Sequence, residues 1–238
     1  GGTMKVTLVS YTDEWVANKA TQRCRSGKPY AELGDKNVLD HALGSGHDSV
    51  LEFVDYTFAI DGISRACSHQ LVRHRMASYE QTSQRHVNMD GFEYVIPKTI
   101  EENKRTIQFR YEDYAQQMTT DTIPEAYQYI MDEIYYVYSE LIKLGIPEED
   151  ARYILPNACA TNLVMKINAR SLKNFLSLRM CNKAQWEIRE LANEMYKLVC
   201  KCTPQVAEYM GPPCWFDGCK ERIPCETGRP KAVTMKKE

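Results

Sequence analysis

Residues 54–85 read VDYTFAIDGISRACSHQLVRHRMASYEQTSQR. Val54, Tyr56, Phe58 and Ile60 alternate with Asp55, Thr57 and Ala59, the period of a strand with one buried face. Asp61-Gly62 has turn chemistry, and the Ser64 hydroxyl suits the cap of a following helix. Ala66, Gln70, Arg73 and Ala77 then fall three or four apart, as do Ile63, Cys67, Leu71 and His74. That spacing predicts a helix whose C-terminal end delivers RHRMASYEQTSQR, residues 73–85. Here Arg73, His74, Arg75 and Arg85 gather with the hydroxyls of Ser78, Thr82 and Ser83.

Outward from this stretch, strands are expected at Lys5–Tyr11, Phe92–Ile96 (stopped by Pro97) and Thr161–Asn168. Leu163, Met165 and Ile167 share one face of the last. Helices are expected over Glu14–Ser26, Asn37–Leu43, Glu101–Thr119, Pro124–Leu144, Arg170–Leu178 and Ala184–Cys200. Gly44 and Gly46 end the second of these, Gly145 ends the fourth, and Pro147 opens another helix. The pattern has neither repeat nor linker. It predicts one α+β domain over residues 4–210, with a small, mostly antiparallel sheet and several long helices, followed by a loop-like, cysteine-rich tail over 211–238. Gly1-Gly2-Thr3 ahead of Met4 reads as a cloning remnant and is set aside.

The net charge of −2 over 238 residues argues against a long polyanion as partner, so no nucleic acid is expected. An RNA-binding use of residues 73–85 would also want aromatic stacking residues, and no such recognition motif is present. No apolar run is long enough to span a bilayer and no signal-peptide pattern opens the chain, so a cytoplasmic protein off the membrane is expected. The cation cluster therefore suits a small anion. A phosphate monoester carries about −1.5 to −2 charge at neutral pH, which the planar Arg fork matches. Each charge-assisted hydrogen bond contributes roughly 1.5–3 kcal/mol, so three or four suffice to hold a nucleotide. Charge alone leaves a second reading open, in which Arg73, Arg75 and Arg85 form a solvated face and pair with nearby carboxylates.

RHRMASYEQTSQR resembles the signature of the flavin-dependent thymidylate synthases, Arg-His-Arg-x-x-Ser-x-Asn-x-x-Ser-x-Arg. Arg73, His74, Arg75, Ser78, Ser83 and Arg85 match it, while Glu80 stands where the pattern has Asn. GHDSVLEF, residues 46–53, resembles the family's Gly-His-x-Ser/Thr-x-x-Glu-His segment, with Phe53 in place of the second His. Gln70 precedes the signature as in the family, and GIPEEDARYILP (145–156), NARSLKNFLSLR (168–179) and AQWEI (184–188) are similar to later blocks in the same order.

The resemblance implies methylation of dUMP to dTMP, with methylenetetrahydrofolate as carbon source, FAD as hydride carrier and NADPH as reductant. It also implies a homotetramer with active sites shared between subunits. By position, dUMP is expected at Gln70, Arg73, Gln81, Ser83, Arg85, Arg152 and Arg179. FAD is expected at Ser49, Arg73, His74, Arg75, Gln81, Asn168, Arg170 and Asn174. Arg179 and Arg85 take the role of polarising the uracil ring, and His47 stands near the flavin. Fixed cations then replace the cysteine thiolate that ordinary thymidylate synthases add to uracil C6. Asn168, Arg170 and Asn174 also admit a purely structural role at a strand-to-helix junction, and His47 one in hydrogen bonding.

Other readings differ in class. A regulator could keep the nucleotide site without turnover, although Arg85 and Arg179 are both retained. A cysteine-nucleophile enzyme would need Cys159 or Cys181, and neither lies in a recognisable nucleophile context. No dinucleotide-binding glycine fingerprint is present. Of the nine cysteines, Cys200, Cys202, Cys214, Cys219 and Cys225 crowd the end as C-x-C, then C-x4-C-x5-C. This is not a paired C-x2-C knuckle, so no metal site is assigned, and zinc, disulfides and free or packed thiols all stay open.

Overall fold

A computed structural model describes residues 3–110 and 118–225 of the chain. The strands are β1 (Lys5–Tyr11), β2 (Asp55–Ser64), β3 (Ala77–Gln81), β4 (Thr106–Arg110), β5 (Met118–Thr122) and β6 (Ala160–Asn168). The helices are α1 (Glu14–Cys24), α2 (Leu39–Gly44), α3 (Arg65–Leu71), α4 (Lys98–Glu101) and α5 (Ile123–Lys143), followed by α6 (Glu148–Ala151), α7 (Ala169–Arg179), α8 (Trp186–Cys202) and α9 (Pro204–Ala207). Helices with a small antiparallel sheet make this an α+β fold, as expected. A four-stranded sheet has the order β1-β2-β6-β3, and β4 pairs antiparallel with β5 in a separate two-stranded sheet. Among the described residues, no helix is long and apolar enough to cross a membrane.

Two compact units emerge from the packing. One comprises Gly1–Met4, Asp61–His69 and Gln81–Asn162; the other comprises Lys5–Ile60, Gln70–Glu80 and Leu163–Glu238. The second unit carries the principal core. Val54, Tyr56, Phe58 and Ile60 are fully buried, as the alternation predicted, and Leu163, Met165 and Ile167 are buried on β6. Helix α7 adds Leu172, Phe175 and Leu176, and α8 adds Ile188, Leu191, Met195 and Val199 at helical spacing. Tyr56 is satisfied in this interior by a 2.6 Å hydrogen bond with the Thr203 hydroxyl, and burial pushes its pKa up.

The first unit is organised by α5. Thr122 caps it, its hydroxyl accepting from the Glu125 N–H while the Glu125 carboxylate accepts from the Thr122 N–H. This reciprocal pair sets the start one residue before the expected Pro124. At the other end Gly145, with φ +83°, stops the helix as expected.

Four expectations need correction. Asp61-Gly62 is not a turn, because β2 runs on to Ser64. Gly62 instead adopts φ +72° inside the strand, where a Cβ would lie 3.0 Å from the Thr3 carbonyl oxygen. The helix after Ser64 does start on that cap, with Cys67 N–H donating to the Ser64 hydroxyl at 3.0 Å, but it stops at Leu71. Ala77 belongs to β3, so much of the cation-rich stretch is extended chain rather than helix end. Phe92–Ile96 forms only a single bridge, Tyr94 to Cys159. The helix expected over Glu101–Thr119 is replaced by the short α4 and by β4 and β5; residues 111–117 lie outside the described set. The segments TIQFR and MTTDT are rich in β-branched residues, a composition that favours extended backbone, and they pair as strands.

Candidate active site

In the second unit, α7 is the platform. The Asn168 side chain caps it by accepting from Ser171 N–H at 2.9 Å, so this residue closes the junction from β6 to the helix. At the far end, Arg179 donates through Nε to His74 Nε2 at 3.2 Å. An acceptor at Nε2 requires a neutral imidazole with its proton on Nδ1. The surroundings enforce that state: burial, and then the Arg179 charge, hold the His74 pKa below its ordinary value. The His74 ring also meets Phe175 of α7 edge-on, with centroids 4.9 Å apart. A buried face of α7 thus positions the imidazole, and the imidazole positions Arg179.

The turn between α3 and β3 is secured from below. Tyr79 turns its hydroxyl to the carbonyls of Leu71 (3.0 Å) and His74 (2.9 Å), and burial pushes the phenol up to about 12. On either side of His74, Arg73 and Arg75 are exposed, and among the described residues neither forms an ion pair. Of that second reading, the carboxylate pairing is thus not seen for these two guanidinium groups among the described residues, while their exposure to solvent is. Gln70 is half-buried at the end of α3.

The segment 46–53 also belongs to this unit and forms a 3-10 turn over Asp48–Phe53. Asp48 binds Lys173 of α7 through both carboxylate oxygens, at 2.8 and 2.9 Å, which fastens the turn to the platform. Glu52 accepts from Arg170 at the start of α7. His47 and Ser49 stay exposed on this turn, and Asn174 is exposed on α7. Phe53, the departure from the family pattern, is 55% exposed, so its apolar ring is presented outward rather than used in the core.

The first unit holds a second polar cluster. Gln81 donates to the hydroxyls of Ser68 (3.0 Å) and Thr161 (3.1 Å). Ser83 accepts from the Arg85 N–H and meets His86 Nδ1, both at 3.3 Å. Arg85 pairs with Glu149 at 2.8 Å, and Arg152 donates to the Glu149 backbone carbonyl at 3.0 Å. Glu149 thus gathers both guanidinium groups, one by its carboxylate and one by its main chain. For Arg85 the carboxylate-pairing reading holds. Arg65 lies near enough to Arg152 to feel its charge, and burial is the larger cause of its lowered pKa. Cys159 is buried, and burial pushes its thiol up, opposite to what a thiolate nucleophile requires.

Each unit thus brings a subset of the expected residues together: Arg73, His74, Arg75 and Arg179 in one, and Gln81, Ser83, Arg85 and Arg152 in the other. Sequence reasoning missed the acidic partners Glu52, Asp48 and Glu149. The first two lie inside GHDSVLEF and the third inside GIPEEDARYILP, so position in a motif was the available signal, but pairing over more than sixty residues has no sequence period.

Comparison with known proteins identifies the family. A family described as Thymidylate synthase complementing protein matches residues 7–205. A flavin-dependent thymidylate synthase of Clostridium tetani is 40% identical, covering 98% of this chain and 96% of the relative. One of Geobacter sulfurreducens is 40% identical over 92% of this chain and 91% of its own, and one of Sulfurisphaera tokodaii 42% identical over 89% and 79%. Matches of this extent reach across both units and every segment described above, and the chain belongs to the flavin-dependent thymidylate synthase family, a family of methyltransferases.

Proposed function

We propose that this protein methylates dUMP to dTMP, taking the carbon from methylenetetrahydrofolate and the reducing equivalents from NADPH, with fixed cations instead of a cysteine nucleophile. The observation that carries the proposal is the Arg179–His74 contact, flanked by Arg73 and Arg75, which have no acidic partner among the described residues. Two exposed guanidinium groups with the hydroxyl of Ser49 in the same unit are a donor set suited to a diphosphate. They fit FAD, which Arg73, Arg75, Ser49 and His74 would hold, with Asn174 and Gln81 as further contacts. When bound, FAD supplies the hydride chemistry.

The protein's own part is electrostatic. Uracil C5 becomes a carbon nucleophile as negative charge develops on the ring oxygens and N3, and Arg179 and Arg85 stabilise that charge. Holding His74 neutral matters here, because an imidazolium beside Arg179 would push the guanidinium away. Gln70, Ser83 and Arg152 orient the nucleotide, and His47 borders the cofactor. Asn168 and Arg170 serve through their structural bonds, Asn168 as the α7 cap and Arg170 through Glu52. The raised Cys159 thiol supports a route without covalent attack. Assembly as a homotetramer with shared sites follows the family resemblance.

The test is direct. Purified protein should carry flavin absorption that dUMP perturbs, and should form dTMP from dUMP with methylenetetrahydrofolate and NADPH. Colourless protein that also fails to take up added FAD overturns the proposal. Flavin binding without dTMP formation removes the catalytic half of it.

A further inference from the structure

Within the second unit, a cavity of about 520 Å³ opens between the residues following Arg179 and the segment beyond Gly211. That is the size of a small-molecule site. Its lining departs from the average of a chain whose net charge is −2. Arg179, Lys183, Arg189 and Lys220 bring four cations to it, against the single carboxylate of Glu221. Among the described residues, Lys183, Arg189 and Lys220 form no ion pair. Arg189 is held in place by donating to the Asn182 carbonyl at 2.8 Å, and Arg179 by its bond to His74. Lys183, Arg189 and Lys220 lie outside the set expected at the active site.

Leu178, Met180, Pro212, Pro213 and Trp215 give the same cavity an apolar lining. Trp215 is fixed from two sides. Gly211, with φ +138°, runs so near the indole that a Cβ there would stand 2.3 Å from Trp215 Cε3. Tyr196 of α8 meets the ring edge-on at 5.5 Å. Asn193, also on α8, adds an amide that can both donate and accept. An aromatic surface, an amide and a cluster of cations without acidic partners answer the base and the phosphates of a nucleotide. One phosphate monoester carries about −1.5 to −2 charge, less than four cations beside one carboxylate leave uncompensated. Two or more phosphoryl groups match them.

We propose that this cavity binds a nucleotide carrying two or more phosphoryl groups, with its phosphates on Lys183, Arg189 and Lys220 and its base against Trp215. Arg179 lines the cavity and is also the residue assigned to the uracil ring, so an occupant here reaches the proposed chemistry. Two sources offer a ligand of this kind. One is the nicotinamide reductant, docking by its adenosine half; the other is a nucleoside triphosphate that regulates turnover. The first source rests on the proposed reaction, whereas binding itself does not, since its test needs no turnover.

The experiment is isothermal titration of the full chain, loaded with FAD, freed of excess and saturated with dUMP. The probes are ATP and, separately, NADP+, which cannot reduce the flavin. Saturable binding of about one nucleotide per chain is expected, at least about tenfold tighter for ATP than for AMP and weakened by salt. Lys183→Ala and Lys220→Ala, at exposed positions, should each weaken it at least about fivefold. Lys197→Ala, on α8 but outside the lining, should leave it unchanged. ATP should also quench tryptophan emission, a change that Trp215→Phe should mostly remove. NADP+ binding tighter than ATP assigns the site to the reductant, and ATP binding as tightly or more tightly assigns it to an effector. No saturable binding of either nucleotide, pyrophosphate binding as tightly as ATP, affinities unmoved by Lys183→Ala and Lys220→Ala, or equal loss on Lys197→Ala each overturn the proposal. Protein that does not retain FAD counts against the proposed reaction alone, and the lysine variants still decide this one.

Discussion

If His74 holds Arg179 as a neutral acceptor, the two residues must be energetically coupled, and the coupling must vanish on acidification. His74→Ala removes a hydrogen bond from a charged donor, worth roughly 1.5–3 kcal/mol when well shielded, and a ring contact with Phe175 worth about 0.5–1.5 kcal/mol. His74 is only half-buried, so water replaces part of the first, and a coupling of about 1–2 kcal/mol is expected. At about 2–4 °C per kcal/mol for a chain of this size, the lost coupling in His74→Ala should lower Tm by roughly 2–8 °C. The assay is a double-mutant cycle of His74→Ala and Arg179→Ala, read by urea unfolding of the flavin-free protein, so that lost cofactor contacts do not enter. His74→Gln, which restores an acceptor without the aromatic edge, should recover most of the coupling. The pH dependence has a definite sign. His74 titrates below its ordinary 6.5 in the folded protein, so the unfolded chain takes up the proton first. The stability contributed is full above 6.5 and is lost as pH falls from there through the lower folded value. Additive single variants, within about 0.5 kcal/mol, or a coupling equal at neutral and acidic pH, would refute the reasoning.

Arg85 and Glu149 are both about half exposed, so Arg85→Ala should change stability by less than about 1 kcal/mol while lowering dTMP formation by about 100-fold or more. Unfolding curves and turnover separate the two effects, and retained turnover would remove Arg85 from the chemistry. Cys159→Ala should keep dTMP formation per folded site within about threefold, and a loss of several orders of magnitude would reinstate covalent catalysis. Thr122→Ala breaks the reciprocal cap of α5 and should cost about 1 kcal/mol in urea unfolding; no measurable change would show that the helix start is held by other contacts. Phe58→Ala, fully buried on β2, should cost about 3–5 kcal/mol, and a loss below about 1 kcal/mol would show that the core collapses around the gap.

What the sequence determined by itself was much of what repeats over a few residues. Alternation placed Val54, Tyr56, Phe58 and Ile60 on a buried face, and helical spacing found α7 and α8, because burial of one face imposes its period directly on residue type. The signature at 73–85 likewise led to the family, since its residues are adjacent along the chain. Tertiary structure decided the rest. Gly62 is a strand residue rather than a turn because β2 runs on through it to Ser64, and Thr106–Arg110 pairs with Met118–Thr122 as strands because pairing outweighs local preference. Which guanidinium groups are engaged was equally illegible: Arg85 meets Glu149 and Arg170 meets Glu52 across 64 and 118 residues, while Arg73 and Arg75 meet no carboxylate among the described residues. The gathering of Lys183, Arg189 and Lys220 around one cavity is of the same kind. Charge acts through space over a few ångströms, and only the folded chain brings such distant positions that close.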